Sequence, residues 1–330
     1  MDENKGNDTP MLADLGEREI IRRLIAEHQP SGYIPPGDDC GAIEIDGRLV
    51  LLSTDTKVDD THFPQGFTGF DKGWTIAAAN LSDVAAMGGE PVAFLIAYGL
   101  PRGTLYSVLQ DIQSGIHACL SEHSTPLIGA DTKENRVITL TGTVVGIVGK
   151  SEVLLRSGSR PGDLVCVSGP LGGASLGLRS MQRGLGIILA EGHLRRPSPR
   201  ISEGRVLAKS GVCTSCIDIS DGLSSSLYEL MRASGNGFEV DASSVPLHES
   251  LWEMYDEREG PLQTALHSGD EYELLFTVSQ DSVEELKKKF DEEAEHELFI
   301  IGRVTSNKEV ILRRDSGTEV LPDGGFEHFR

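Results

Sequence analysis

The sequence predicts a two-domain α/β (α+β) protein, and three observations carry that expectation. The chain has 330 residues, more than one ordinary core accommodates. Hydrophobic residues make up 38% of it, enough to bury substantial cores. Helix-like and strand-like patterns alternate through both halves.

In chain order, residues 1–10 are polar and predict a disordered start. They lack the basic region and apolar stretch of a leader, and no apolar run further on is long enough to span a membrane. A cytoplasmic protein is the expectation. Ile20, Ile21, Leu24 and Ile25 form a helical stripe within Glu17–His28, which a Pro/Gly-rich loop from Tyr33 to Asp39 follows. Two strand patterns, Ala42–Ile45 and Leu49–Ser53, flank Asp46-Gly47, a strong hairpin signal. Asp71–Met87 reads as a small-residue helix whose alanines suggest close packing, terminated by Gly88-Gly89. A strand near Val92–Leu100, a helix near Thr104–Glu122 and strands near Leu127 and Val137–Val148 complete the first half.

The second half starts with a strand at Leu164–Val167, then helices near Ser175–Gln182 and Ser202–Lys209. A strand at Ser215–Ile219 precedes a helix at Leu223–Ala233. A strand at Tyr272–Val278, a helix at Ser282–Phe290 and a strand at Leu298–Val304 close the series. The expected boundary falls near Gly149–Arg160, dividing the chain into 1–150 and 151–330.

The charge balance is strongly acidic, 51 Asp and Glu against 30 Lys and Arg. Such a surface repels nucleic acid, and repels nucleotides and phosphate esters unless metal ions intervene. Five cysteines in a chain this long make no disulfide framework. Cys213-Thr-Ser-Cys216 has redox or half-zinc-site spacing. With no second pair, and with an apolar strand following, it reads better as two structural thiols.

The chemical signal is a set of acidic residues beside Gly, Ser or Thr at turns and strand ends. They are Gly37-Asp38-Asp39, Ser53-Thr54-Asp55, Ser82-Asp83, Gly129-Ala130-Asp131, Asp218-Ile-Ser220-Asp221-Gly222 and Gly269-Asp270-Glu271. Mg²⁺ prefers carboxylate, carbonyl and water oxygens, so single carboxylates from separate loops suit it. Each motif alone also fits a turn or a helix cap. Asp83 stands apart because it lies within a helix of Ala, Leu, Ile, Val and Met, where a buried charge is costly unless paired or metal-bound. One shared site explains six such motifs better than six coincidences.

Other phosphate and catalytic signatures fail. Gly149-Lys150-Ser151 resembles the end of a P-loop, but Val144 occupies its first glycine position. Gly169-Pro-Leu-Gly172-Gly173 leads into a helix and fits either an anion site or a plain helix start. There is no H-E-x-x-H, no G-x-S-x-G and no kinase H-R-D set. Among the scarce cations, Arg156 at the domain junction is a candidate phosphate ligand. The basic loop Leu194–Arg200 fits either phosphate binding or surface salt bridges.

Read together, G-D-D-C, S-T-D-T, N-L-S-D-x-A-A-M-G, L-I-G-x-D-T, L-x-R-S-G-x-x-P-G-D, R-P-x-P-R, I-D-x-S-D-G-L and D-E-Y-E-L occur in that order across nearly the whole chain. This series resembles the thiamine-monophosphate kinase family of the aminoimidazole ribonucleotide synthetase-like superfamily. The resemblance implies an N-terminal sheet that pairs with a second subunit in a homodimer, and a C-terminal α/β domain folding over a nucleotide. It implies that Asp39, Ser53, Thr54, Asp55, Asp83, Asp131 and Asp218 bind several Mg²⁺ ions, and Asp221 another. ATP would be held by Ala130, Asp131, Arg156 and Ser220, with Asp55, Asp83, Asp131 and Arg156 the catalytic set. His62 would reach the phosphate of thiamine monophosphate, and Asp270 and Phe326 the far end of that substrate.

Three departures bear on this. Ala130 stands where the family has a second glycine, and Phe326 where it has tyrosine. Ser268-Gly269-Asp270-Glu271-Tyr272 replaces G-G-E-D-Y, leaving open whether Asp270 or Glu271 meets the substrate. The implied reaction moves the ATP γ-phosphoryl group directly to thiamine monophosphate. Its phosphate oxygen is already anionic, so no general base is needed. A selenophosphate synthetase would carry an N-terminal Cys and Lys, and a carbamoyl dehydratase a terminal Cys, and neither is present. A module holding ions only structurally is the non-enzymatic alternative.

Overall fold

The computed structural model describes residues 10–27, 33–34 and 36–329. The expected disordered start therefore lies outside the described residues except for Pro10, as does His28, the expected end of the first long helix. The helices are α1 (Leu12–Leu15), α2 (Glu17–Glu27), α3 (Gly69–Ala86), α4 (Tyr106–Glu122), α5 (Gly173–Arg183), α6 (Ile188–Arg195), α7 (Ile201–Ser210), α8 (Leu223–Ser234), α9 (Glu259–His267) and α10 (Val283–Glu293). The strands of the first half are β1 (Gly41–Ile45), β2 (Arg48–Val58), β3 (Glu90–Leu100), β4 (Leu127–Glu134) and β5 (Thr139–Gly149). Those of the second are β6 (Leu164–Val167), β7 (Cys213–Asp218), β8 (Gly237–Asp241), β9 (Leu274–Val278), β10 (Phe299–Thr305), β11 (Val310–Arg314) and β12 (Gly317–Val320).

β1 to β5 make one sheet in the order β1-β2-β5-β3-β4, antiparallel except for the β3–β4 pair. The remaining strands make a second sheet, β12-β11-β8-β10-β6-β9-β7. Asp46 and Gly47 join β1 to β2 with both φ angles positive, at 49° and 79°, the backbone a two-residue hairpin needs.

Helix α3 organises the first half. Thr68 caps it, accepting from the Asp71 amide at 3.1 Å while the Asp71 carboxylate accepts from the Thr68 amide at 3.0 Å. Its small residues allow backbone-close crossings. A Cβ on Gly73 would lie 1.9 Å from the Ile112 carbonyl of α4, and one on Gly115 of α4 would lie 1.9 Å from the Phe70 carbonyl. Near its other end, Ala85 meets Gly204 of α7, where a Cβ would come within 2.2 Å of the Ala85 carbonyl. The alanines thus serve two different contacts. Ile76, Ala77 and Leu81 belong to the first core, whereas Ala85 and Ala86 belong to a core with Val206, Cys216 and Phe276 of the second half.

All five cysteines are unbridged. Cys216 is buried in β7, and half-buried Cys213 points its thiol at the Ser215 carbonyl. No helix among the described residues is long and apolar enough to cross a membrane.

Candidate functional site

A cleft of about 1870 Å³ runs between the two sheets, walled by β2 and the loop after it, the end of β7, the 269–272 loop and the 322–329 tail. Strand alternation decides what β2 offers it. Ser53, Asp55 and Lys57 share one face, and Thr54 and Thr56 the other. The Thr54 hydroxyl donates to the Gly142 carbonyl at 2.7 Å, and Thr56 and Thr141 pair their hydroxyls at 2.9 Å. The Asp55 amide donates to the Asn80 carboxamide of α3 at 3.3 Å. Room for that side chain comes from Gly142 opposite, where a Cβ would lie 2.4 Å from Asn80 Nδ2.

Three carboxylates converge at and just behind the cleft wall, which Asp83 and Asp218 line. Asp39 from the 37–40 turn, Asp83 from α3 and Asp218 from the end of β7 each present an oxygen, all within 4.8 Å of one another. The Ser53 hydroxyl donates to Asp83, and the Ser82 hydroxyl donates to Asp218 at 2.6 Å. Burial and the neighbouring Asp39 charge push the Asp218 carboxyl up to about 8. Burial, with Asp55, Asp218 and Asp39 around it, also raises Asp83 well above the usual carboxylate range. Asp55 is raised chiefly by burial, with Lys57 pulling the other way. One Asp39 oxygen accepts from Arg156 Nη2 at 2.7 Å, while the other, buried, has no hydrogen-bond partner among the described residues. Like charges this close, with an orphaned oxygen among them, form a site that a divalent cation fits.

Beyond the cluster, Asp221 lines the cleft, and burial and Glu17 push its carboxyl up to about 6. Ser220 also lines it, its carbonyl accepting from the Asp270 amide at 2.7 Å. His62 Nε2 lies 3.2 Å from His328 Nε2, and burial with the Lys57 charge lowers the His62 imidazole. Phe326 stands edge-on to His328 with centroids 4.7 Å apart, its amide donating to the Asp221 carbonyl at 3.3 Å. Asp270 and Glu271 are placed differently. Asp270 lines the cleft, whereas Glu271 is 1% exposed and accepts from the Gly172 and Ala174 amides at 2.9 and 3.2 Å and contacts His193 Nε2 at 3.0 Å. The same contacts take up the start of α5, so the Gly169–Gly173 segment is a helix start filled by the protein's own carboxylate.

Some expected residues do not join the site within one chain. Asp131 is 63% exposed and pairs with Lys133 at 3.0 Å on β4, the sheet edge. It stands opposite Ala97, on the face that Thr54 shares and away from Asp55, so alternation alone separates it from the cluster. Ala130 is exposed on the same edge strand. The Thr54 hydroxyl is turned to Gly142 and Thr143, away from the cluster. Arg156 is not on the cleft wall; it backs Asp39, and its amide donates to Asp38 at 2.6 Å. The basic loop is spent on structure, with Arg195 on Asp71 at 2.7 Å and the Arg200 Nε on buried Glu273 at 2.7 Å. Asp38, Asn80, Ser82 and Tyr272 stand within the motifs singled out in the sequence but were given no role of their own, and Lys57 was not named, although its alternation with Ser53 and Asp55 was a visible signal.

A family model described as AIR synthase related protein, N-terminal domain, matches residues 37–148, and its C-terminal counterpart matches residues 160–315. The chain is 35% identical over 323 residues to a thiamine-monophosphate kinase of Pyrococcus horikoshii, covering 97% of this chain and 98% of the relative. It is 31% identical to that of Haemophilus influenzae, covering 96% and 98%. The solved structure of AaThiL complexed with AMPPCP and TMP superposes with a TM-score of 0.84 at 28% identity, over 98% of this chain and all of that one.

Proposed function

The chain belongs to the thiamine-monophosphate kinase family, within the AIR synthase related proteins, and from that premise we propose how its cleft carries out the family's reaction. It is an ATP-dependent kinase that transfers the γ-phosphoryl group of ATP to thiamine monophosphate, giving thiamine diphosphate and ADP. The observation that carries the mechanism is the convergence of Asp39, Asp83 and Asp218 on one point of the cleft.

Mg²⁺ is proposed as the metal, held by Asp39, Asp55, Asp83 and Asp218 with Ser53 and the Thr54 carbonyl, and Asp221 holding another ion. Bound there, it would offset the repulsion between two anionic phosphates. The chain's own residues do the rest. Ser53 and Ser82 orient Asp83 and Asp218 by hydrogen bonding. Arg156 fixes Asp39 and adds positive charge toward the nucleotide, and Ser220 lines the nucleotide side. His62 faces the monophosphate, and Asp270 and Phe326 the heterocyclic end. No side chain needs to take a proton from the attacking phosphate oxygen, and the transfer is direct, without a phosphoenzyme.

A homodimer is proposed from the outer face of the first sheet, where Ile43, Ile45, Leu52, Leu95 and Ile128 are between 37% and 61% exposed. A second copy there would bring Ala130 and Asp131 of one edge strand to a nucleotide site shared between subunits. The division into a 1–150 metal and dimerisation domain and a 151–330 domain, and a cytoplasmic location, belong to the same reading.

The test is ADP release on adding thiamine monophosphate to the protein with ATP, as MgCl₂ is titrated. Release that depends on both acceptor and metal is expected. Turnover that ignores thiamine monophosphate would overturn the proposal, and a stable phosphorylated protein after one turnover would overturn direct transfer.

A further inference from the structure

Lys57 is 7% exposed at the centre of the cleft wall. A buried ammonium is costly unless paired, and this one lies 2.9 Å from Asp270 Oδ1 and 5.6 Å over the Tyr272 ring. The Tyr272 hydroxyl donates to the same Oδ1 at 2.8 Å. Among the described residues no hydrogen bond reaches Asp270 Oδ2, although the side chain is 43% exposed in the cleft.

The backbone around this carboxylate is held firmly. Asp270 and Tyr272 both have positive φ, 56° and 55°, a costly conformation for residues with a Cβ. Their amides donate to the Ser220 and Ile219 carbonyls at 2.7 and 2.9 Å, and Glu271 between them is buried in the start of α5. Asp270 and Tyr272 therefore turn toward β2, and the Lys57–Asp270 pair joins the first sheet to the second half across the cleft.

We propose that Lys57 is a positioning residue for thiamine monophosphate: with Tyr272 it locks one oxygen of Asp270, so that the other is presented to an N–H donor or cationic ring of the substrate. The idea rests on the reading of Asp270 as a ligand for the heterocyclic end. Direct phosphate binding by Lys57 fits less well, because its ammonium is directed at Asp270 and the side chain is only 9% exposed.

Steady-state kinetics of the whole chain at saturating Mg²⁺ test this. Lys57→Met should raise KM for thiamine monophosphate by about 10-fold or more while kcat and KM for ATP stay within about 3-fold. Lys57→Arg, which restores the charge, should recover much of that loss. Asp270→Asn should also raise KM, and adding Lys57→Met to it should cost little more, since both act through one carboxylate. If Lys57→Met fails to fold, Lys57→Gln takes its place. An unchanged KM, additive losses in the double variant, or a fall in kcat with KM preserved would each overturn the inference. A wild-type protein inactive on thiamine monophosphate would remove the functional reading and the inference with it. An active wild type with an indifferent Lys57→Met removes the inference alone.

Discussion

At the scale of single residues, Asp83 is the most exacting position. It sits in a helix whose buried residues are mostly small or apolar, yet it faces Asp39 and Asp218 and accepts from Ser53. Asp83→Asn keeps the shape and removes the charge, so kcat/KM should fall by about 100-fold or more with little change in the unfolding midpoint. Wild-type kinetics from that variant would take Asp83 out of the site. Asp218 supplies a pH signature. Its carboxyl is raised from 3.8 to about 8 in the folded protein, so between those values the native state holds a proton that the unfolded chain has released. Folded stability without metal should therefore fall as pH rises through that window. If Mg²⁺ is the metal of this site it would bind the ionised form and should flatten the fall, which melting curves at several pH values with and without MgCl₂ would show. The convergence of Asp39, Asp83 and Asp218 was legible in the sequence, because Asp beside Gly, Ser or Thr recurs in motifs that one shared site explains. The placements of Asp131 and Thr54 were less legible. Motif order carries no information about which face of a strand a side chain takes, and the pairing register decides that.

At the scale of elements, the long amphipathic or small-residue segments were readable and the short charged ones were not. Asp46-Gly47 marked its hairpin, and the alanine run from Asp71 marked α3, because turn chemistry and composition act locally. α1, α6, α9, β8, β11 and β12 went unread. α9 carries Gly260-Pro261 in its first turn, β11 ends in Arg313-Arg314, and β12 is exposed throughout. Such pieces are held by neighbours more than by their own periodicity. The α3–α4 crossing gives a test at this scale. Gly73→Ala would force a methyl into the Ile112 carbonyl, and the strain should cost about 1–3 kcal/mol of stability. A lowered denaturation midpoint would register it, whereas Gly103→Ala, at a position with nothing within 4 Å, should leave the midpoint unchanged.

At the scale of the whole molecule, the first sheet presents apolar side chains outward while its opposite face is filled by α3. If a second copy covers that face, the mass in solution should be that of two chains, and Leu52→Glu should shift sedimentation toward one chain and reduce turnover. A monomeric and fully active wild type would refute both the dimer and a shared nucleotide site. The double allegiance of α3 has a consequence for how the halves come apart. Because one helix packs Trp74 to Val84 into one core while Ala85 and Ala86 enter another built with α7, β7 and β9, the two halves share part of their interior. A break made in the linker would leave Ala85 and Ala86 facing water on one fragment and a groove along α7 bare on the other. The two pieces should then melt together as a single cooperative unit when intact, and seek each other out when cut.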